Sequence, residues 1–460
     1  MIDVILINAV IYVITLLFVI RSERRFSIYV LLWCLYTFTA VMGYIILKTD
    51  DWDFYNPNLG ADVPFTPYLM AYLSLHLISY PFKGYDESNL NYTVLKPNKM
   101  MDGLCGVMLI AYIFLGIVSG TTAYIVANSI GGFGEAYEMA NEGGSEGSML
   151  SVILGSGLLY WIYRICCWII VPTPIFIIYY LIKIHYNEHK WYRYVIFLII
   201  SQIRPLCSAL IVGSRGALFF LLFDILFYFI LFRKLFGIRF VRKVRLIFLI
   251  IVAVFTLVAL AITDSRIENK HGYVEQASTQ HSIMSYMGQA FPNLGYYYYD
   301  KLTNHPGGRR FFPELFSPNT EELYKKMNMS RTEYWNSKMN VPMEKFKTFW
   351  GDWYVEFGFI ASIVGLILLF IFFKITCFNH KYHLFCIPIL VYYFEKVCMF
   401  AFATGTGIAG SDAHKSFFIS AIASYLLLVY ERRNQRTKLH KIVNAKNRKN
   451  YEILNCYTCL

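Results

Sequence analysis

Residues 349–373 read FWGDWYVEFGFIASIVGLILLFIFF. From Phe359 onward the stretch is apolar and carries no charge. A helix rises about 1.5 Å per residue, so about 20 such residues cross the hydrocarbon of a bilayer. The opening turns differ. Asp352 and Glu356 stand four apart among Trp350, Trp353 and Tyr354, and that spacing places both carboxylates on one helix face. Two carboxylates beside a cavity can activate a hydroxyl; the plain alternative is that acids at the mouth of a helix complement its positive end.

Runs of this kind recur along the whole chain. They predict spans at 2–20, 26–47, 66–82, 102–128, 151–182, 193–212, 217–232, 246–263, 349–373, 383–402 and 416–430. The composition agrees: of 460 residues, 57% are hydrophobic and only 16% charged, against about a quarter charged in a soluble domain. So many long apolar runs exclude a single soluble core. The expected fold is all-α, a polytopic integral membrane protein of about eleven transmembrane helices. The third run is weak, bracketed by Pro64, Pro67 and Pro81 with His76 inside it. The fifth is too long for one straight crossing, and Pro172 and Pro174 are expected to redirect it. The run 2–20 has no basic stretch before it and reads as a retained helix, not a signal peptide.

Lys and Arg set the expected orientation. Alternate loops hold Arg21, Arg24 and Arg25; Lys83, Lys96 and Lys99; Lys183, Lys190 and Arg193; six basic residues in 233–245; Lys374 and Lys381; and eight in 432–449. The short loops on the other side are nearly devoid of them. The N-terminus is therefore expected outside and the C-terminus in the cytoplasm. The order is helices one to eight over 1–263, a large outer loop over 264–348, helices nine to eleven over 349–430, and a basic cytoplasmic tail over 431–460. The net charge of +12 belongs to membrane-side loops and does not indicate nucleic acid. Eight of ten cysteines lie in or beside apolar runs, and Cys456 and Cys459 form a lone CxxC. Neither a disulfide framework nor a zinc site follows.

Candidate chemistry clusters toward the outer face. Gly213-Ser214-Arg215-Gly216 joins two closely spaced spans, and an arginine there offers a permanent planar fork to a phosphate or pyrophosphate. The plain alternative is a helix-end anchor. Arg204 and Arg164 lie deeper, where a charge needs a partner or a watery cavity, so each either lines an anion site or serves as a structural partner. The outer loop carries His305-Pro306-Gly307-Gly308-Arg309-Arg310 and a run of four tyrosines, 296–299. Paired Arg309 and Arg310 suit a diphosphate; the tyrosines read first as an interfacial belt. Gly405-Thr406-Gly407-Ile408-Ala409-Gly410 matches a dinucleotide fingerprint in letters only, since no strand precedes it. No metal-ligand motif is present, and none is expected.

Ile211-Val212-Gly213-Ser214-Arg215-Gly216-Ala217-Leu218 is similar to the signature region of bacterial O-antigen (Wzy-type) repeat-unit polymerases. Tyr354-Val355-Glu356-Phe357-Gly358 resembles that family's helix start after its large outer loop, and Phe311-Phe312-Pro313-Glu314 its proline-containing loop stretch. The resemblance implies a C-class glycosyltransferase fold in the bacterial inner membrane. It also implies a substrate of oligosaccharide units linked through pyrophosphate to undecaprenol, joined without nucleotide sugar, metal ion or other cofactor into lipopolysaccharide O-antigen, capsule or exopolysaccharide. Membrane lipids, a chain-length regulator and a flippase are the implied partners. This chain departs from the family in having one large outer loop, not two.

On this reading Arg215, Arg204, Arg309 and Arg310 bind the pyrophosphate, and Asp352 and Arg164 support the site. The base that takes the acceptor hydroxyl's proton stays open between Glu356 and His305. The competing readings are a flippase or exporter of lipid-linked oligosaccharide and an O-antigen ligase-type glycosyltransferase.

Overall fold

A computed structural model describes residues 4–48, 63–83, 99–129, 157–171, 287–299, 304–310, 331–341 and 347–374, with scattered positions elsewhere. The regular structure of these residues is helical. The helices are α1 (Val4–Glu23), α2 (Ile28–Lys48), α3 (Thr66–Ser79), α4 (Lys99–Ser129), α5 (Leu158–Ile169), α6 (Ala290–Asn293), α7 (Arg331–Met339) and α8 (Thr348–Phe373). Among the described residues four helices are long and apolar enough to cross a membrane: α1, α2, α4 over Met101–Ile125, and α8 over Thr348–Phe372. They fall on the first, second, fourth and ninth expected spans. The chain is a helical membrane protein. Most of the expected spans from 193 to 263 and from 383 to 430 lie outside the described residues, as do Arg215, the glycine-rich 405–410 and the terminal cysteine pair.

Sequence explains the elements locally. Arg24, at φ 52°, turns α1 back into α2, and the hairpin closes over Tyr12 and Trp33, whose rings lie 5.9 Å apart. α3 opens with Pro67 in its first turn, where the missing N–H costs nothing. Its Ser74 and Ser79 hydroxyls donate back to the Met70 and Leu75 carbonyls, both at 2.6 Å, which hides polar groups along the helix itself. At 14 residues α3 is short, about 21 Å, but a 3-10 turn over Tyr80–Phe82 extends it. The fifth expected span is interrupted ahead of Pro172 and Pro174, which lie outside the described residues. α5 ends at Ile169, and the Thr173 N–H donates to the Ile170 carbonyl at 3.0 Å in a turn.

α3 and α8 lie side by side and run the same way. At one end Leu294 packs on Gly351 of α8 while Gly295 packs on Val63 and on Tyr68 of α3. At the other end Tyr80 meets Phe370 at 5.9 Å. Two parallel spans need an odd number of crossings between them, and five spans are expected there. At the Tyr80 end, Lys83 lies over the Tyr80 ring and Lys374 over Phe370. Tyr29, just past the turn that carries Arg24 and Arg25, faces Ser79 there as well.

Part of the stretch 264–348, expected to be wholly outside the bundle, is packed into it. α6 continues as a π-helical turn over Leu294–Tyr298. Phe291, fully buried, sits 5.2 Å from Tyr12 and 6.4 Å from Tyr68. Tyr12 lies about 12 Å along α1 from Val4, so the segment re-enters the bundle. Glycines permit the approach: a Cβ on Gly288 would stand 2.3 Å from Ile46 and 2.7 Å from the Met42 backbone. Gly288→Ala is expected to destabilise the protein by about 1–3 kcal/mol through overpacking. The measurement is the thermal midpoint in detergent; an unchanged midpoint would mean that the segment does not dock here.

Candidate functional site

The site is built on a break in α8. Gly358 has φ 76° and ψ −177° inside the helix, a conformation that essentially only glycine adopts. Such a break turns carbonyls out of the helical ladder, and buried carbonyls need donors. Donors from a side chain and from a loop meet three carbonyls around the break. The Ser362 hydroxyl donates to the Trp353 carbonyl at 2.7 Å. The His305 Nδ1 meets the Val355 carbonyl at 3.0 Å. The Gly307 N–H donates to the Glu356 carbonyl at 2.8 Å. Two of these donors come from the loop 304–310, which turns through Gly307 and Gly308 at positive φ. The loop is thereby fastened to the break.

A group of four buried charges fastens it further. The Arg310 backbone N–H donates to Glu356 Oε1 at 3.0 Å and its Nε to Oε2 at 2.9 Å. Its Nη2 reaches Asp352 Oδ1 at 2.5 Å. Arg310 is 3% exposed, and both carboxylates are 0% exposed. Burial alone would lower the Arg310 pKa, but the charges of Asp352 and Glu356 outweigh it and raise the pKa above its ordinary value. Lys347, also buried, stands immediately before α8. Its ammonium donates to the Met343 carbonyl at 2.7 Å and lies 4.7 Å over the Tyr298 ring. Two cations thus balance two anions. Asp352 Oδ2 is buried with no hydrogen-bond partner among the described residues.

Around the loop the aromatics form a wall. The His305 ring meets Tyr354 edge-on at 5.6 Å. Tyr354 stacks on Tyr299 at 5.5 Å and on Trp350 at 6.2 Å. Tyr298, expected in an interfacial belt, is instead core, packed with Trp335, Met339, Val341, Met343 and Val355. His305 itself is exposed, as is Arg309. A carbonyl only accepts, so the Val355 contact requires the hydrogen on Nδ1. In the neutral ring the free lone pair then lies on Nε2.

Four expected site residues converge: His305, Arg310, Asp352 and Glu356. Two of them, Arg310 and Glu356, are paired with each other. Both Glu356 oxygens are occupied by Arg310, and Arg310 directs its fork at carboxylates. Arg309 is the exposed member of the arginine pair. Arg204 is half-buried, donating to the Tyr163 hydroxyl at 3.4 Å with its guanidinium 5.9 Å over that ring. Arg164, next to Tyr163, is half-buried too. Sequence reasoning missed Lys347 and the break at Gly358. A glycine inside an apolar run, two residues past an acid, was the available signal for the break, but small-residue spacing with Ser362 also reads as close helix packing. Among the described residues no three His, Cys, Asp or Glu side chains gather to hold a metal ion. No family model matches the chain, and no curated protein or solved structure matches it.

Proposed function

We propose that the protein is a polymerase of undecaprenyl-pyrophosphate-linked oligosaccharide repeat units, acting at the outer face of the bacterial cytoplasmic membrane. It would have about eleven spans and a C-class glycosyltransferase fold. The observation that carries the reading is the loop 304–310 docked on the broken α8, which holds an exposed imidazole beside a membrane helix. The resemblance of 211–218, 311–314 and 354–358 to the polymerase family supports it. The acceptor sugar's hydroxyl oxygen attacks the donor's anomeric carbon, and its proton passes to His305 Nε2. The bond from that carbon to the pyrophosphate oxygen breaks, and undecaprenyl pyrophosphate leaves with the electron pair. Arg309 and Arg215 are the cations assigned to the leaving charge. Two lipid-anchored substrates held side by side turn the encounter into an intramolecular step.

One observation favours a second reading. Helices broken inside the membrane are a hallmark of transporter sites, and α8 is broken at Gly358. A flippase of the same lipid-linked unit is therefore the alternative. Deletion of the gene followed by glycan analysis separates the two. The expected result is surface glycan capped with a single unit. Loss of surface glycan with units accumulating inside would replace the polymerase by the flippase.

A further inference from the structure

We infer that Gly358 is a positioning residue for His305: its left-handed break turns the Val355 carbonyl toward Nδ1 and so fixes which ring nitrogen carries the hydrogen. The inference deepens the proposed function, because a base at Nε2 needs that tautomer. It rests on three observations. First, φ 76° and ψ −177° at Gly358 interrupt α8, and an uninterrupted helix would engage the Val355 carbonyl in its own ladder. Second, the ring nitrogen lies 3.0 Å from that carbonyl. Third, a Cβ on Gly358 would stand 3.0 Å from both His305 Nε2 and Cδ2. Glycine is thus required twice at one position. It supplies a backbone conformation closed to other residues, and it leaves room over the nitrogen that must stay open. Gly307 fixes the same geometry from the loop side, since its N–H takes the neighbouring Glu356 carbonyl. The ring can therefore neither slide along α8 nor flip without losing the Val355 bond.

Imidazole in water favours the hydrogen on Nε2, so the structure calls for the opposite of the solution state. The test is the 15N spectrum of the histidine-labelled full chain in lipid nanodiscs, read from the neutral form of the ring. His305→Asn supplies the assignment by subtraction. The expected wild-type result is a protonated Nδ1 and an unprotonated Nε2 at His305. Gly358→Ala is expected to return the ring to the solution tautomer. A wild-type His305 protonated on Nε2, or a Gly358→Ala protein that keeps the hydrogen on Nδ1, would overturn the inference. The wild-type spectrum decides the matter even where the alanine variant fails to fold. No substrate is present in this measurement, so its failure is distinct from failure of the polymerase reading, which glycan analysis tests.

Discussion

Arg310→Ala is expected to cost about 3–5 kcal/mol and to lower sharply the amount of folded protein in the membrane. Asp352 and Glu356 are fully buried, and Arg310 supplies Nε and the backbone N–H to one and Nη2 to the other. Removing the guanidinium leaves two carboxylates facing Lys347 as the remaining charge balance of the group. The size of the loss matters because a folded domain has only about 5–15 kcal/mol to lose. A buried ion group contributes little net stability over an apolar replacement, yet breaking it from one side is severe. Arg310→Met together with Glu356→Met removes one charge of each sign, leaves Asp352 against Lys347, and is therefore expected to recover part of the loss. Membrane abundance and the detergent thermal midpoint report both results. Arg310→Ala protein at wild-type level and midpoint, but without polymer, would return Arg310 to the pyrophosphate site suggested by its sequence.

His305→Ala is expected to lower the polymerisation rate by about 10²–10⁴-fold, the usual share of a general base, at unchanged membrane level. The rate is measured with purified lipid-linked units, and donor binding is measured alongside. His305→Asn sharpens the result. Its amide retains a donor for the Val355 carbonyl but offers no base, so the loop stays docked and the rate stays low. Glu356→Gln is expected to act on stability first, since Glu356 is occupied by Arg310. Wild-type rates in His305→Ala would remove the imidazole from the chemistry.

The membrane helices were legible in sequence because a charge-free apolar run has few other fates. The edges of α1, α2, α4 and α8 fall within a few residues of those expected. The docking of 288–298 was not legible. Phe291 and Pro292 look like ordinary loop residues until Gly288 and Gly43 are brought together, and that meeting is set by tertiary packing. At the site, the types and neighbourhood were legible, and the pairing was not. Arg309 and Arg310 are identical letters in adjacent positions, yet one is exposed and the other is 3% exposed. Only the turn through Gly307 and Gly308 decides which of them points at the carboxylates.

The parallel pairing of α3 with α8 has a consequence for biogenesis. α3 is short, carries Ser74, His76 and Ser79, and leaves the ribosome early. The helix it packs along is made only after most of the chain. Until α8 emerges, α3 must wait in the bilayer with the face that packs on α8 uncovered, although Trp33 of α2 already covers His76. Assembly of this protein is therefore ordered from its far end: the last-made third of the chain completes a groove that the first-made helices can only hold open.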